Sequence, residues 1–373
     1  MMNNFVTQDY VWMARAIRLA KKGRFTTSPN PNVGCVIVKK GCIVGEGFHF
    51  KAGEPHAEVH AMRMAGAKTK GATAYVTLEP CSHYGRTPPC AKGLIDAGIK
   101  RVVVAMVDPN PQVSGRGLKM LQDAGIEVLS GLMAQQAEAI NPGFIKCMRT
   151  HKPYIQLKLA ATLDGRIALS NGLSQWITGE SARRDVQQYR ATASAILSTS
   201  ATVMADNPSL CVRYNELPES IKESYDEQYL RQPVRIIIDS KNRITPDFKL
   251  FSIPSPIILV RTQSANLSYP KHVTELLVAS DQGYVNLGLM FEQLAQQGLQ
   301  HIWVEAGATL AGVLLEKHWV DDFILYQAPK LIGQQGKAIV NWSEKTLMSQ
   351  VPLLKIKEVS RIGEDIKLCL QVS

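Results

Sequence analysis

His56, Cys81 and Cys90 supply one imidazole and two thiols within a single stretch of this chain. Zinc binds such ligands tetrahedrally, and three protein ligands leave the fourth corner to water, which is the arrangement of catalytic sites. Glu58 follows His56 by two positions. A hydroxide formed on the ion and attacking an sp² carbon needs a carboxyl group to take its proton and hand it to the departing amine. Residues two apart do not share a helix face, so the pair works when His56 opens a helix and Glu58 reaches round from its first turn. Pro55 suits such a start. If Cys81 and Cys90 also lie near helix N-termini, dipole and metal together favour their thiolates.

His-x-Glu followed by Pro80-Cys81 and a second cysteine is the zinc-deaminase signature. Eight residues, Ser-His-Tyr-Gly-Arg-Thr-Pro-Pro, separate the two cysteines here, whereas nucleoside, cytosine and tRNA deaminases mostly use Cys-x-x-Cys. The wide spacing, with Asn30-Pro31-Asn32-Val33-Gly34 upstream, resembles the bifunctional deaminase/reductase family of riboflavin biosynthesis. In that family Asn30 and Asn32 belong to a substrate-side motif; on residue types alone, residues 24–34 read as a turn cluster. His60, one turn beyond His56, reads as packing or outer support, since a fourth ligand would close the site. His83 either lines the pocket or faces solvent.

The resemblance continues through Leu163-Asp164-Gly165, Gln175-Trp176-Ile177-Thr178, Ala205-Asp206-Asn207-Pro208 with Arg213, and Val304-Glu305-Ala306-Gly307, and so covers nearly the whole chain. It implies a second domain similar in fold to dihydrofolate reductase that uses NADPH. Carried over residue by residue, Ala160, Trp176, Thr202, Asp206, Ser240 and the run Gly307, Ala308, Thr309, Leu310, Ala311, Gly312 and Val313 fall on the NADP side. Lys158, Ser174, Arg190, Leu210, Arg213 and Glu305 fall on the substrate side. Arg190 and Arg213 have the fork that grips a phosphate. Asp206 and Glu305 are candidates to donate a proton as hydride reaches the sugar carbon. Read without the family, residues 302–312 are a strand meeting a helix through small residues. That junction suits a phosphate or equally a close-packed turn, and it matches neither Gly-x-Gly-x-x-Gly nor a P-loop.

The elements that must position these groups alternate between strand and helix. Tyr10, Met13, Ala14, Ile17 and Ala20 recur at helical spacing behind a cap at Thr7 or Asp9. Strands are expected at 35–38 and 42–45, joined as a hairpin, then at 74–78 and 101–106; helices at 56 onward, 90–97, 118–124 and 134–148. A ligand would sit at the strands' carboxyl ends, where Glu79, Asp108 and Asn110 fall. Pattern and composition break at residues 149–153, which divides the chain into residues 1–151 and 152–373. The second part is expected to hold strands at 154–159, 195–197, 234–239, 257–260, 276–279 and 302–305. Helices run from 179 to 192 and from 289 to 296, with a polar surface excursion over 214–232. The expected fold class is α/β, and the resemblance implies a cytidine-deaminase-like three-layer α/β/α domain followed by the dihydrofolate-reductase-like domain.

Composition agrees with two domains. The chain has 373 residues, 45% hydrophobic and 20% charged, ordinary for a globular protein. Seven scattered cysteines form no disulfide framework, and no run of eighteen apolar residues occurs, so a cytoplasmic protein without a membrane partner is expected. The net charge of +10 suits a phosphorylated small molecule and does not by itself call for nucleic acid. The resemblance implies zinc, NADPH, a phosphoribosylaminopyrimidine substrate and a homo-oligomer. Two rival readings stay open: a zinc deaminase acting on tRNA or nucleic-acid bases, and a zinc-stabilised binding protein.

Overall fold

The computed structural model describes residues 5–83, 88–111 and 113–372. It divides into two compact units, Met1–His151 and Lys152–Ser373. Residues 84–87, part of the loop expected between the cysteines, lie outside the described residues.

The first unit runs α1 (Thr7–Ala20), β1 (Gly34–Lys39), β2 (Cys42–Phe48), α2 (Ala57–Ala65), β3 (Thr73–Val76), α3 (Cys90–Asp96), β4 (Arg101–Val104), α4 (Arg116–Asp123), β5 (Glu127–Ser130), α5 (Ala134–Glu138) and α6 (Pro142–Thr150). Among the described residues its strands form one sheet in the order β2-β1-β3-β4-β5. β1 is antiparallel to β2 and β3, while β3, β4 and β5 run parallel. Alternation along β1 covers both faces: Cys35 and Ile37 pack with Ala57, Ala61, Leu94 and Leu121, and Val36 and Val38 pack with Met13, Ala16, Ile17 and Ile145. The unit is therefore three-layered, as expected.

α1 is capped at Val6, not Thr7 or Asp9. The Asp9 carboxylate accepts from the Val6 N–H at 3.0 Å and also from Tyr75 and Arg101. The expected helix over 134–148 is two helices, because Asn141-Pro142 interrupts the ladder. α2 lies almost backbone to backbone on β2: a Cβ at Gly45 would meet the Ala61 carbonyl at 2.1 Å, and one at Gly47 the Ala57 carbonyl at 2.3 Å. That close seat fixes where His56 begins the helix.

The second unit runs β6 (Tyr154–Thr162), β7 (Arg166–Ala168), α7 (Glu180–Thr192), β8 (Ala195–Thr199), α8 (Ser200–Asp206), α9 (Glu219–Lys222), β9 (Val234–Ile238), β10 (Ile257–Arg261) and β11 (Val273–Leu277). There follow β12 (Ser280–Asp281), β13 (Tyr284–Val285), α10 (Leu287–Gln296), β14 (His301–Glu305), α11 (Ala308–Glu316), β15 (Asp322–Ala328), β16 (Lys337–Ala338), β17 (Leu354–Ile362) and β18 (Asp365–Val372). Its main sheet has the order β11-β10-β9-β8-β14-β6-β15-β18-β17, parallel from β11 to β15 and antiparallel thereafter. α10 and α11 cover one face with Leu157, Leu197 and Val304, and α7 covers the other with Ile196, Ile237 and Trp303.

Two expectations needed correction. The strand expected at 276–279 is Val273–Leu277. The stretch 214–232 is not a plain surface excursion: Leu217, Ile221 and Tyr225, four residues apart, are buried and pin it down.

Candidate active sites

His56 occupies the N-cap of α2 with extended backbone, and Glu58 sits in the first turn. Cys90 is the first residue of α3. The Cys90 N–H donates to the Cys81 sulfur at 3.2 Å and the Ala91 N–H to the Cys81 carbonyl at 3.2 Å, so the positive end of α3 faces Cys81 although Cys81 lies in the preceding loop. His56 Nδ1 stands 3.3 Å from Cys90 Sγ and 3.7 Å from Cys81 Sγ. Tetrahedral zinc with ordinary bond lengths sets nitrogen–sulfur edges of about 3.6 Å. The donor set therefore fits the ion, and among the described residues no fourth metal-ligating side chain joins these three. His56 is exposed and Cys81 half-buried, which leaves one side open to solvent.

Glu58 is 3% exposed. Burial, followed by the nearby Cys81, pushes its carboxyl up to about 7, where it can both take and give a proton near neutral pH. Of the two thiols Cys81 ionises first, at about 4, because the Cys90 thiol donates to it and His56 stands beside it; the same contact pushes the Cys90 thiol up.

Around this cluster the expected groups divide. Asn30 is exposed, and its Nδ2 lies 3.3 Å from His49 Nε2. Asn32 is spent inside the loop: its Oδ1 accepts from Thr27, its Nδ2 donates to the Ile140 carbonyl, and its backbone pairs with the Asn141 amide. Its side chain shapes the loop. Glu79 is likewise consumed by backbone N–H groups. His83 is exposed, and His60 packs against β2 near Gly47. His49 was missed. It is 2% exposed, donates from Nδ1 to the Pro55 carbonyl at 3.2 Å, and meets the His56 ring edge-on at 5.5 Å; a lone histidine ending a strand has no spacing signal.

In the second unit, Lys158 on β6 and Glu305 on β14 are paired across neighbouring parallel strands. Glu305 accepts from Arg190 Nε at 2.6 Å, Arg190 Nη2 at 2.9 Å and Trp303 Nε1 at 2.8 Å. Burial would raise its carboxyl, yet Arg190 and Lys158 hold it at about 2. The bidentate pair with Arg190 favours the ionised form of Glu305, which suits it less well than Asp206 to the proton donation expected of either. Arg190 has no fork left for phosphate, because its Nη1 donates to the Cys211 carbonyl at 2.9 Å. Burial lowers the Lys158 ammonium, opposed by Glu305 and Asp206. Asp206 ends α8, exposed, with Ser174 Oγ donating to it at 3.4 Å.

Arg213 pairs with Glu216 at 2.6 and 2.7 Å in a half-exposed bridge. Leu210 has left-handed backbone, φ +49°, and its side chain is buried in the core. Gly307 caps α11 with no side chain satisfying the helix end, and a Cβ there would meet nothing within 4 Å. The N-terminus of α11, whose first-turn N–H groups at Ala308, Thr309 and Leu310 lack partners within the helix, is thus uncapped by a side chain and open at Gly307, which fits a dinucleotide phosphate. Ala311 and Gly312 lie on the buried face, Gly312 tight against the Asn341 carbonyl, so they are packing residues; Val313 is half-buried. Trp176 is exposed with Arg183 stacked on it at 4.3 Å. Thr202 sits in the first turn of α8, where Thr199 caps the helix. Ala160 packs beside the core, and Ser240 Oγ accepts from the Val285 N–H at 3.1 Å.

Two family models match: the cytidine and deoxycytidylate deaminase zinc-binding region over residues 6–106, and the RibD C-terminal domain over residues 153–368. The riboflavin biosynthesis protein RibD of Escherichia coli is 56% identical over 363 residues, covering 97% of this chain and 99% of that protein. The chain belongs to the RibD family. The RibD of Haemophilus influenzae is 53% identical over 98% of both chains. Among solved structures, Acinetobacter baumannii RibD superposes with a TM-score of 0.90 at 43% identity, covering 98% of this chain and 99% of that one. A Thermotoga maritima diaminohydroxyphosphoribosylaminopyrimidine deaminase/5-amino-6-(5-phosphoribosylamino)uracil reductase does so at 0.86 and 34%, with coverage of 98% and 99%. As a RibD family member the chain is a bifunctional enzyme of riboflavin biosynthesis, a hydrolytic deaminase and a reductase, using zinc and NADPH. It acts on a small molecule, and the reading as a nucleic-acid base deaminase is not favoured. No helix among the described residues is long and apolar enough to cross a membrane.

Proposed function

We propose that residues 1–151 carry the deaminase and residues 152–373 the reductase. The first would remove the 2-amino group of 2,5-diamino-6-(5-phosphoribosylamino)pyrimidin-4(3H)-one as ammonia. The second would reduce the ribosyl chain of the product, giving 5-amino-6-(5-phosphoribitylamino)uracil. The observation that carries this reading is the meeting of His56 Nδ1, Cys81 and Cys90 beside a buried Glu58.

His56, Cys81 and Cys90 hold zinc, which when bound supplies the Lewis acid that makes water nucleophilic near neutral pH. Glu58 takes the proton of the attacking water and returns it to the leaving nitrogen; water supplies the oxygen and ammonia leaves. Asn30, with His49 behind it, lies on the substrate side.

In the reductase, NADPH supplies the hydride when bound. The α11 N-terminus from Gly307 to Leu310 takes its phosphate, with Trp176, Thr202, Ser240 and Ala160 on the same side. Lys158, deprived of water between Glu305 and Asp206, is the proton donor best suited to the arriving hydride, with Asp206 the other candidate. Arg213 grips the substrate phosphate by exchanging Glu216 for it, and Ser174 orients Asp206. Arg190 and Glu305 keep the strand end rigid.

Cytoplasmic location and homo-oligomeric assembly belong to the same reading. β17, the last strand of its sheet among the described residues, exposes Ile356 and Val359 and supports pairing with a second copy. Mass measurement in solution tests the assembly.

The deciding experiment measures zinc content, ammonia release and NADPH consumption on the diaminopyrimidine substrate. One zinc per chain with both activities is expected. A metal-free protein that still releases ammonia would overturn the proposal.

A further inference from the structure

Glu79 lies three residues past the end of β3 and directly precedes Pro80-Cys81. It is 4% exposed, and among the described residues its hydrogen bonds come from backbone N–H groups. Four converge on it: Asp108 at 3.1 Å and Gly115 at 2.9 Å to Oε2, Gly117 at 2.8 Å and Leu118 at 3.4 Å to Oε1. Three of these open α4, whose N-cap is Gly115, so the carboxylate completes the unsatisfied N-terminus of that helix and meets the positive end of its dipole. The seat is close on a second count. A Cβ at Gly117 would meet the Pro80 carbonyl at 2.0 Å, so the backbone leading into Cys81 rests directly on the first turn of α4. On its far side Cys81 is held by the N–H groups of Cys90 and Ala91.

We propose that Glu79 is a positioning residue of the deaminase: by binding the start of α4 and the Asp108 N–H, it fixes the Pro80-Cys81 turn so that the Cys81 sulfur stands where zinc requires it. The inference rests on the assignment of Cys81 as a zinc ligand. A buried carboxylate that four N–H groups satisfy holds two segments in one register, whereas an amide in its place turns an NH₂ toward N–H groups and releases them. Outer groups that orient metal ligands typically change metal affinity by about 10- to 100-fold when altered.

The test follows zinc release from the full-length, zinc-loaded enzyme into a chromophoric chelator. Wild type is compared with Glu79→Gln, with Gly117→Ala, whose Cβ pushes on the Pro80 carbonyl and crowds Glu79 Oε1 at 3.2 Å, and with Met13→Ala, a buried change on the opposite face of the sheet as a stability control. Glu79→Gln and Gly117→Ala should release zinc at least about tenfold faster than wild type, while Met13→Ala keeps the wild-type release rate despite its lower melting temperature. NADPH consumption should be retained throughout. Release at the wild-type rate in both test variants, or equal acceleration in Met13→Ala, would overturn the proposal. If Glu79→Gln yields no folded protein, Gly117→Ala decides alone. A wild-type enzyme without stoichiometric zinc would instead sink the ligand assignment, so the two failures are distinguishable.

Discussion

Arg190 and Glu305 meet in a two-point ion pair, at 2.6 and 2.9 Å, with side chains only 10% and 14% exposed. Replacing Glu305 by Gln leaves a buried guanidinium without its counter-charge, a loss of roughly 3 kcal/mol or more. A fall in the melting temperature of the reductase part is expected, measured by calorimetry, with ammonia release preserved. An unchanged transition would mean the pair contributes nothing to the fold.

Arg213 should behave differently. Its bridge to Glu216 is half exposed, a kind of contact worth at most about 1 kcal/mol. Arg213→Ala should therefore melt like the wild type yet show a raised KM for the phosphorylated substrate and an unaltered KM for NADPH. A variant with both constants unchanged removes Arg213 from substrate binding.

Gly307→Asp offers two readouts of opposite sign. The added side chain has room and can cap α11, a gain of roughly a few tenths of a kcal/mol, while its charge occupies the place proposed for a phosphate. Higher thermal stability with a KM for NADPH raised about tenfold is expected, and steady-state kinetics beside a melting curve checks both. Unweakened NADPH binding would move the cofactor away from this helix end.

Glu58→Gln should keep zinc and NADPH consumption while losing ammonia release by about 10²-fold or more. Metal analysis beside an ammonia assay reads the outcome. Undiminished release would assign the proton transfers elsewhere.

Asp9 gives a pH prediction. Burial would raise its carboxyl, but Arg101, Tyr75 and the Val6 N–H hold it at about 2. A depressed carboxyl contributes stability above its unfolded value of about 4 and loses it as pH falls toward 2. Asp9→Asn should flatten the acid-side decline of the first unit between those limits, and urea titrations over that range test it. An unaltered slope would mean other carboxylates govern acid unfolding.

The zinc motif could be read in the sequence because spacing alone specifies it: His56 must open a helix for Glu58 to reach round, and it does. Strand alternation likewise gave β1, β3, β6 and β14. What could not be read was how each polar group is spent. Asn32, Arg190 and Glu79 carry the right chemistry for a ligand, but their donors and acceptors are taken by carbonyls, carboxylates and N–H groups distant in sequence. Ala311 and Gly312 were assigned by likeness, and the helix phase turns them inward. β17 was overlooked because its register slips between Ile356 and Glu358, which breaks the two-residue period, and β5 because four residues give too short a pattern.

β17 also bears on how a newly made chain survives. Its exposed Ile356 and Val359 are interleaved with exposed Lys355, Lys357, Glu358 and Arg361, and charged side chains along an open edge discourage fibrous stacking while leaving the apolar residues available to a matching surface. These charges act as gatekeepers against misassembly.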